Sequence, residues 1–436
     1  MTQPIIHESL AENNDVVLEK RKNLPEFDRK LLEYEDALAL CLNAVQDPVG
    51  TEELTLENSL GRVLREDMIS QVFVPPESRS MMDGYAVIRD DVKCATDDHP
   101  VTLTQIDNVP AGHVSMKRLG PGETIRIMTG AVMPQGANAV IRLECSRCLD
   151  GRQVIIMEPV GENPYVLLKG QDLVPGIVTA KSGTLITPAV MGVLASCGVS
   201  RVKVSRRPTM AVIATGNELV DPGQIPGAGQ IYNINGYSLY GLSMAAGAKP
   251  VYGGIVRDKS DDLLHVLCSH MDKDIILLSG GVSVGDYDIV HETLVRAGVE
   301  EIFWRVKVKP GKPLFFGRKG KTLIFGLPGN PVSSMVNFYV FVRPVIDKLS
   351  GKQTYGLDTS KARIINNRII QPGRRKFYRG RLSSRNSRLE VEIIPEQRSG
   401  VFSPMATANV LIEIPGHIKV LKTGDMVRVH HLDCSR

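Results

Sequence analysis

Three apolar runs in the middle of the chain constrain the fold more than any other feature, because a segment with helical spacing follows each run. The runs are 209–215, 250–256 and 275–278, and the helical segments are 235–246, 260–271 and 289–297. Strands that are apolar throughout are buried on both faces, and this alternation favours parallel pairing. The sequence therefore predicts an α/β protein with a central doubly wound, mostly parallel sheet.

The length of 436 residues and the changes in texture along the chain indicate several domains. Residues 24–205 form a mixed α/β N-terminal region, with an amphipathic helix at 30–45 and an inserted β subdomain at about 50–150. Residues 206–350 form the central α/β domain, which a long apolar helix at 331–349 closes. Residues 361–436 then predict a small C-terminal β domain.

Three loops rich in glycine and proline follow strand-like segments of the central domain. They are 279–288, 309–313 and 326–331. Gly280 and Gly281 allow backbone N–H groups to approach an anion, and Ser283 adds a hydroxyl. Ligands of parallel sheets bind at the carboxyl ends of strands, so the loops predict one shared site.

Carboxylates follow the same strands. Glu218, Asp258 and Asp288 come after the first, second and third apolar runs. Such a set suits a hard divalent cation, for which Mg²⁺ bridging to phosphate is the usual arrangement. Each residue alone is better explained by a helix cap or a local ion pair, but their joint position favours the metal site.

Basic groups accompany the acidic ones. Lys309 and Lys312 bring positive charge to the same edge, which suits a polyanionic substrate held partly through a metal. The stretch 361–389 contains ten Lys or Arg and no Asp or Glu. A basic segment of this kind suits contact with phosphates, with another anion or with water alone. The net charge of +4 and the few aromatic residues in this stretch argue against nucleic acid as a partner.

Other features exclude whole classes of protein. No apolar run is long enough to span a membrane, and the first residues lack the order of a signal peptide, so we expect a cytoplasmic protein. Seven scattered cysteines indicate reduced thiols, and the close pair Cys145 and Cys148 is expected to be incidental rather than a metal or redox site. The run Met82-Asp-Gly-Tyr85 is explained either by a β-hairpin turn or by function.

Six motifs in a fixed order closely resemble the molybdopterin molybdenumtransferase family, the MoeA type that also forms the C-terminal domain of gephyrin. They are Met82-Asp-Gly-Tyr-Ala86, Met128-Thr-Gly-Ala131, Thr215-Gly-Asn-Glu-Leu219, Gly280-Gly-Val-Ser-Val-Gly-Asp-Tyr-Asp288, Lys309-Pro-Gly-Lys-Pro313 and Gly326-Leu-Pro-Gly-Asn-Pro-Val-Ser333. The resemblance covers roughly residues 24–432.

The resemblance implies an enzyme that inserts molybdenum. Adenylyl-molybdopterin and molybdate would give molybdenum cofactor and AMP, with Mg²⁺ assisting. The family also implies an elongated homodimer whose active site lies between the sheet domain of one subunit and parts of its partner. A contact with molybdopterin adenylyltransferase is a further expected partnership.

The family's functional residues map onto this chain as three sets. The expected metal ligands are Glu218, Asp258 and Asp288. The expected catalytic residues are Asp83, Asp258, Asp288, Lys309 and Lys312. The expected substrate and molybdate contacts are Thr215, Gly280, Gly281, Ser283, Pro313, Asn330, Ser333, Arg374, Arg379 and Asp172, and Arg379 is preferred to Arg374.

The chain departs from the family at several positions. Asn138, Asn217 and Asn233 stand where Asp is common, so Mg²⁺ affinity is expected to weaken if Asn217 or Asn233 is a ligand. The core set of carboxylates and lysines is intact, so we expect activity. Two alternatives stay open: a molybdopterin adenylyltransferase-like enzyme, and a non-catalytic dimeric scaffold.

Overall fold

The computed structural model describes residues 31–281 and 289–432 and divides the chain into two compact units. One unit is Glu53–Val204, and the other joins the residues before it to those from Ser205 onward. The central sheet, the first helix and the terminal β domain therefore belong to one unit.

The larger unit is built on a six-stranded sheet. In spatial order its strands are Lys249–Val256, Thr209–Thr215, Ile275–Ser279, Thr322–Leu327, Phe315–Lys319 and Glu300–Trp304. The first four are parallel, and the last two add antiparallel pairs at one edge. The helices that follow the first three strands along the chain are Ile234–Ala245, Ser260–Ser269 and Ile289–Arg296. The predicted mostly parallel sheet is confirmed.

Successive residues of the three inner parallel strands enter two different cores. Met210 and Val212 belong to one core, whereas Ala211 and Ile213 belong to the other. The first core includes the helices Tyr34–Asn43 and Ile234–Ala245, and the second includes the helices on the opposite face of the sheet. Burial on both faces explains why these strands are apolar throughout, and it confirms the doubly wound arrangement.

The predicted helix at 331–349 is interrupted. Pro331–Asn337 and Arg343–Leu349 are α-helical, whereas Phe338–Val342 forms a π-helical turn. Pro344 has no N–H to donate to the carbonyl four residues earlier, which is a usual cause of such local widening. The apolar pattern therefore predicted the extent of the segment but not its break.

The terminal β domain is also confirmed. Its six-stranded sheet contains Thr359–Ile364, Arg375–Arg385, Arg388–Ile393, Val410–Ile414 and Met426–His431, together with the short strand Val308–Lys309. Val308–Lys309 pairs in parallel with Arg375 and Lys376, so the loop that begins at Lys309 leaves directly from this sheet. A two-stranded pair, Arg368–Ile369 with Val420–Leu421, completes the domain.

The smaller unit carries a second six-stranded sheet. In spatial order its strands are Ala139–Arg142, Gly84–Val87, Glu123–Ile127, Val101–Val109, Gln153–Ile156 and Ser146–Cys148. The helix Pro188–Ser196 begins where Thr187 caps the N–H of Val190. Strand pairs at Met68–Ile69 with Val178–Ala180, and at Thr51–Thr55 with Arg201–Ser205, accompany the sheet.

The β-hairpin interpretation of Met82-Asp-Gly-Tyr85 is wrong. The strand before the turn, Arg79–Ser80, pairs with Val166–Leu167 rather than with Gly84–Val87. A side chain at position 84 would overlap the carbonyl oxygen of Ile141, with its Cβ only 1.9 Å away. The glycine is therefore required by strand packing and not by a hairpin turn.

Two further sequence expectations concern membranes and cysteines. Over the described ranges, no helix is long and apolar enough to cross a bilayer. Cys145 and Cys148 are both free thiols; Cys145 is buried and lies 3.1 Å from a carboxylate oxygen of Glu158, and Cys148 is exposed. The expectation that the pair is incidental rather than a metal or redox site stays a prediction.

A buried ion-pair cluster ties the first helix to the terminal domain. Arg375 donates to Glu413 at 2.7 Å and also to Glu35 of the first helix, and its guanidinium lies 4.9 Å from the ring centre of Tyr34. The imidazole Nε2 of His430 lies 2.9 Å from the other oxygen of Glu413. Glu413 is thus a buried carboxylate between a guanidinium and an imidazole.

The free energy of unfolding should fall in acid, because Glu413 becomes protonated. Burial raises the pKa of this carboxyl, but His430 and Arg375 outweigh burial and hold the pKa below the usual 4.5. The stabilisation is therefore present above pH 4.5 and is lost as the pH falls through the lowered pKa. In urea unfolding, Glu413→Gln should cost about 2 kcal/mol at pH 7 and less at pH 4. Glu392→Gln, on another strand of the same sheet, serves as the control; an equal cost at both pH values for Glu413→Gln would contradict the assignment.

Candidate functional site

A cleft of about 800 Å³ lies at the carboxyl ends of the parallel strands. Loops after all four parallel strands contribute to it, as do the start of the helix Ile234–Ala245 and residue Gly400 of the terminal domain. The lining residues are Thr215, Gly216, Glu218, Leu219, Ile231, Tyr232, Asn233, Ile234, Asn235, Asp258, Ser279, Gly280, Gly281, Pro313, Pro328, Gly329, Asn330, Pro331 and Gly400. The cleft occupies the position at which open parallel sheets bind ligands.

Seven of the residues predicted from the sequence lie in this lining. They are Thr215, Glu218, Asp258, Gly280, Gly281, Pro313 and Asn330. The chain segments that carry them are separated in sequence and meet only because their strands end at the same edge. Their roles toward a ligand stay predictions.

Close packing explains the glycines on the cleft floor. A Cβ on Gly280 would lie 2.3 Å from the carbonyl oxygen of Thr215, and a Cβ on Gly281 would lie 2.4 Å from a methyl carbon of Val290. Both glycines also have positive φ, +101° and +66°. Any side chain would therefore push the loop away from the adjacent strand end.

Two of the three predicted metal ligands share the cleft. Glu218 and Asp258 are exposed carboxylates at its rim. The third, Asp288, and the predicted contact Ser283 lie outside the described residues. Within the described residues, no group of three or more His, Cys, Asp or Glu is placed to hold a metal ion. The two oxygen donors present match the ligand preference of Mg²⁺, and the pair is incomplete without a further oxygen ligand.

The lysines of the second loop lie beside the cleft rather than in its lining. Lys309 pairs across strands with Lys376, and Arg374 donates to the carbonyl of Val308 at 3.3 Å. Lys376 is almost fully buried, and its pKa is lowered first by burial and then by the charges of Lys309 and Arg374. These three residues, which we call the basic cluster, concentrate positive charge next to the cleft. Lys312 is half-buried two residues beyond Pro310.

Two predicted contacts lie elsewhere. Ser333 is buried in the first turn of the helix Pro331–Asn337 and is not part of the lining. Arg379, the preferred arginine, is 1% exposed, and its guanidinium donates to carbonyls of the loop 396–401. These bonds hold the guanidinium against that loop, and the role of Arg379 toward an anion stays a prediction.

Asp83 and Asp172 belong to the smaller unit. One carboxylate oxygen of Asp83 accepts bonds from the N–H and the hydroxyl of Thr129, both at 2.7 Å. These bonds hold the pKa of Asp83 below its usual value. They also join the Met82 and Met128 motifs into one turn-to-turn contact. Asp172 is an exposed residue whose N–H donates to the carbonyl of Val74.

Comparisons with known proteins agree over nearly the whole chain. Models of the MoeA N-terminal region (domain I and II), the probable molybdopterin binding domain and the MoeA C-terminal region (domain IV) match residues 32–198, 211–348 and 361–432. The molybdopterin molybdenumtransferase of Bacillus subtilis is 33% identical over 87% of this chain and 89% of its own length. The chain belongs to the MoeA family.

Solved MoeA structures agree with this membership. A crystal structure of the molybdopterin biosynthesis MoeA protein from Pyrococcus horikoshii is 29% identical and covers 92% of this chain and 100% of its own, with a TM-score of 0.78. The molybdopterin molybdenumtransferase of Haemophilus influenzae is 31% identical over 92% of this chain and 98% of its own length. The resemblance inferred from the six motifs is confirmed, and the chain is an enzyme of this family.

The structure gives physical reasons for the asparagines that depart from the MoeA pattern. Asn233 caps a helix by accepting from the N–H of Gly236 at 2.9 Å, and it donates to the hydroxyl of Tyr252 at 2.8 Å. Tyr252 in turn donates to Asp221, so an aspartate at 233 would be unable to complete this chain of bonds. Asn138 accepts from the N–H of Arg89.

Asn217 interacts with Asp258 at the cleft rim. The Asn217 N–H donates to the Asp258 carboxylate, and the Asp258 N–H donates to the Asn217 side chain, both at 3.2 Å. An aspartate at 217 would place two carboxylates side by side. The amide therefore keeps the loop contact without adding a like charge beside Asp258.

Two buried amides that hold the cleft loops were missed by the sequence reading. Asn235 donates to the hydroxyl of Ser279 at 2.8 Å and to the carbonyl of Gly329 at 2.7 Å, which joins two of the loops. Asn337 donates to the carbonyls of Gly311 and Pro313, which fixes the loop that starts at Lys309. The only sequence signal is an asparagine within an apolar helix, where polar residues are costly unless bonded.

Three oxygens around these loops have no hydrogen-bond partner within the described structure. They are Thr215 Oγ1, Asn235 Oδ1 and Asn337 Oδ1, and all are fully buried. The orientation of both amides is fixed, because their nitrogens face carbonyl oxygens that only accept. Each such orphan costs about 1–3 kcal/mol, so this part of the fold is not optimised for stability.

Removing the Thr215 hydroxyl should therefore stabilise the protein. Thr215→Val keeps the side-chain shape and removes an oxygen that has no partner, so the free energy of unfolding in urea should rise by about 1 kcal/mol. Thr209→Val is the matched control at the other end of the same strand, since its hydroxyl donates to Asp274 at 2.9 Å. That variant should lose about 1 kcal/mol. A loss of stability in Thr215→Val would show that its hydroxyl has a partner.

Proposed function

We propose that this enzyme inserts molybdenum from molybdate into adenylyl-molybdopterin, releases AMP and forms molybdenum cofactor. The observation that carries the proposal is the convergence of two carboxylates and two glycine loops in one cleft of a MoeA-family chain. The cleft volume of about 800 Å³ lies in the range of ordinary ligand sites. A nucleotide joined to a pterin is a ligand of matching chemistry, with both apolar rings and phosphate charge.

The residues divide between the two anionic substrates. The backbone at Gly280 and Gly281 is free of side chains and suits close approach of phosphate oxygens. Lys309 and Arg374 supply positive charge for molybdate, whereas the buried Lys376 donates to the carbonyls of Gln371 and Arg374. Adjacent sites for the two reactants would suit a transfer between them.

Magnesium fits the rim of the cleft. Glu218 and Asp258 would hold Mg²⁺, with Asp288 as the further ligand predicted from the sequence. When bound, the cation neutralises charge on the adenylyl phosphate as its bond to the pterin phosphate breaks. Asn217 orients the Asp258 carboxylate through its N–H, which donates to one of the two carboxylate oxygens.

A homodimer is supported by an exposed apolar face. Ile234, Tyr237 and Met244 lie on one side of the helix Ile234–Ala245, and each is more than a third exposed. Val251 extends this face onto the strand at the edge of the sheet. Apolar residues at a sheet edge are typical of surfaces that associate. Asp83 and Asp172 are proposed to reach the site through such a dimer.

The cytoplasmic location is also kept as a proposal. The six cysteines within the described ranges are free thiols, as expected in a reducing compartment. The adenylyltransferase alternative is less favoured, because a terminal β domain and the separate unit Glu53–Val204 accompany the sheet domain.

AMP release tests the proposal. Wild-type protein mixed with adenylyl-molybdopterin, molybdate and Mg²⁺ should release AMP and form molybdenum cofactor. Asp258→Asn should reduce the rate by about 100-fold or more, because the amide binds Mg²⁺ poorly and adds no charge. Asp262→Asn, an exposed carboxylate in the next helix, is the control and should be unchanged.

The outcomes separate the alternatives. If the wild type releases no AMP under these conditions, the alternative of a non-catalytic dimeric scaffold is favoured. Normal AMP release by Asp258→Asn would show that Asp258 is not a metal ligand. The assignment of the protein as an enzyme would be unaffected. Asp288→Asn is expected to abolish insertion on the sequence prediction.

A further inference from the structure

A short strand pair carries an exposed tyrosine into the cleft lining. Leu219–Val220 pairs in parallel with Ile231–Tyr232, and three of these four residues line the cleft: Leu219, Ile231 and Tyr232. Tyr232 is 46% exposed, so much of its ring is open to a ligand. Ligand clefts are commonly lined by apolar and aromatic side chains that contact rings of the ligand.

The backbone on both sides of Tyr232 is held by hydrogen bonds. The N–H of Ile231 donates to the carbonyl of Glu218 at 2.7 Å, and the N–H of Asn233 donates to the carbonyl of Val220 at 2.9 Å. Asn233 is buried, and its side chain caps the next helix. The tyrosine therefore stands between two anchored neighbours, and one of them is bonded to the backbone of the proposed Mg²⁺ ligand Glu218.

The hydroxyl of Tyr232 is tethered as well. It donates to the carbonyl of Gln224 at 3.0 Å. The loop that carries Gln224 has bonds of its own, because the Gln224 N–H donates to the carbonyl of Asp221 at 3.2 Å and the Gly227 N–H donates to the side chain of Gln230 at 2.9 Å. The ring is thus ordered before a ligand binds, which lowers the entropic cost of a contact with it.

The next tyrosine along the chain offers a contrast. Tyr237 packs its ring against that of Tyr252, with the ring centres 5.4 Å apart. Among the aromatic rings in the described ranges, none is paired with that of Tyr232 in this way. An ordered, exposed ring in a ligand cleft suits offset stacking with a planar ring, which adds to the gain from apolar burial.

We propose that Tyr232 is a binding residue whose ring stacks on a planar heteroaromatic ring of the substrate. The proposal rests on the proposed function, because adenylyl-molybdopterin carries two such rings, adenine and pterin. Both rings present the same kind of stacking face, so one chemistry has two sources. The contact recognises a ring rather than a charge, and it complements the phosphate contacts proposed for Gly280 and Gly281.

Binding to the full-length protein, measured by titration calorimetry, tests the proposal without turnover. The probes are AMP, which carries adenine, molybdopterin, which carries the pterin, and ribose 5-phosphate, which has the sugar and phosphate of AMP without the base. Tyr232→Ala should raise Kd for at least one ring-bearing probe about tenfold or more, and Kd for ribose 5-phosphate should not change. A loss with AMP assigns Tyr232 to adenine, and a loss with molybdopterin assigns it to the pterin.

Two further variants and one control sharpen the test. Tyr232→Phe keeps the ring and removes only the bond to Gln224, so Kd should rise less than about threefold. Tyr232→Leu keeps an apolar side chain without a ring face, and its Kd should rise as in Tyr232→Ala. Tyr355→Ala removes a tyrosine that is 44% exposed and lies outside the lining, and it should bind every probe as the wild type does.

Three outcomes would overturn the proposal. The first is an unchanged Kd for both ring-bearing probes in Tyr232→Ala, and the second is an equal rise for ribose 5-phosphate, which marks general damage to the site. The third is a loss of binding that accompanies a change of oligomeric state in analytical ultracentrifugation, because that pattern marks a contact between subunits. If Tyr232→Ala does not fold, Tyr232→Leu decides the outcome.

The stacking role and the proposed function fail separately. If the wild type releases no AMP but binds AMP or molybdopterin in a manner that depends on Tyr232, the proposed function fails and the stacking role holds. If the wild type converts its substrates while Tyr232→Ala binds both ring-bearing probes normally, the proposed function holds and the stacking role fails.

Discussion

The cleft depends on the hydrogen bonds that Asn235 donates to Ser279 and to the carbonyl of Gly329. Two loops rich in glycine and proline meet at this point. A buried amide at the start of a helix joins them with two bonds and leaves its own oxygen without a partner. The enzyme therefore keeps an exposed backbone surface for a ligand at some cost in stability.

The same solution recurs at the other loops of the site. Asn337 holds the loop that carries Lys309 and Lys312, and Arg379 donates to carbonyls of the loop that carries Gly400. In each case a buried polar side chain bonds to backbone carbonyls of a segment that has no regular structure. Buried polar side chains thus help to fix the loops of the cleft.

Sequence patterns predicted the elements of the fold well, and for a physical reason. The strand Thr209–Thr215 has the predicted bounds, because an apolar run marks its ends locally. The π-helical turn at Phe338–Val342 was missed, because the apolar pattern does not reveal how a helix accommodates Pro344. The hairpin at Asp83 was wrong, since strand partners are set by distant residues.

The candidate site was predictable only in part. Glu218, Asp258 and Gly280 were placed correctly at one cleft, because the carboxyl ends of parallel strands must meet. The bonds from Arg379 to the loop 396–401 were not predicted, because the sequence shows that an arginine is present but not which acceptors surround it. The most direct measurement is a crystal structure with adenylyl-molybdopterin and Mg²⁺. The account predicts the adenylyl phosphate beside Gly280 and Gly281, with the cation at Glu218 and Asp258; a ligand bound away from this cleft would contradict it.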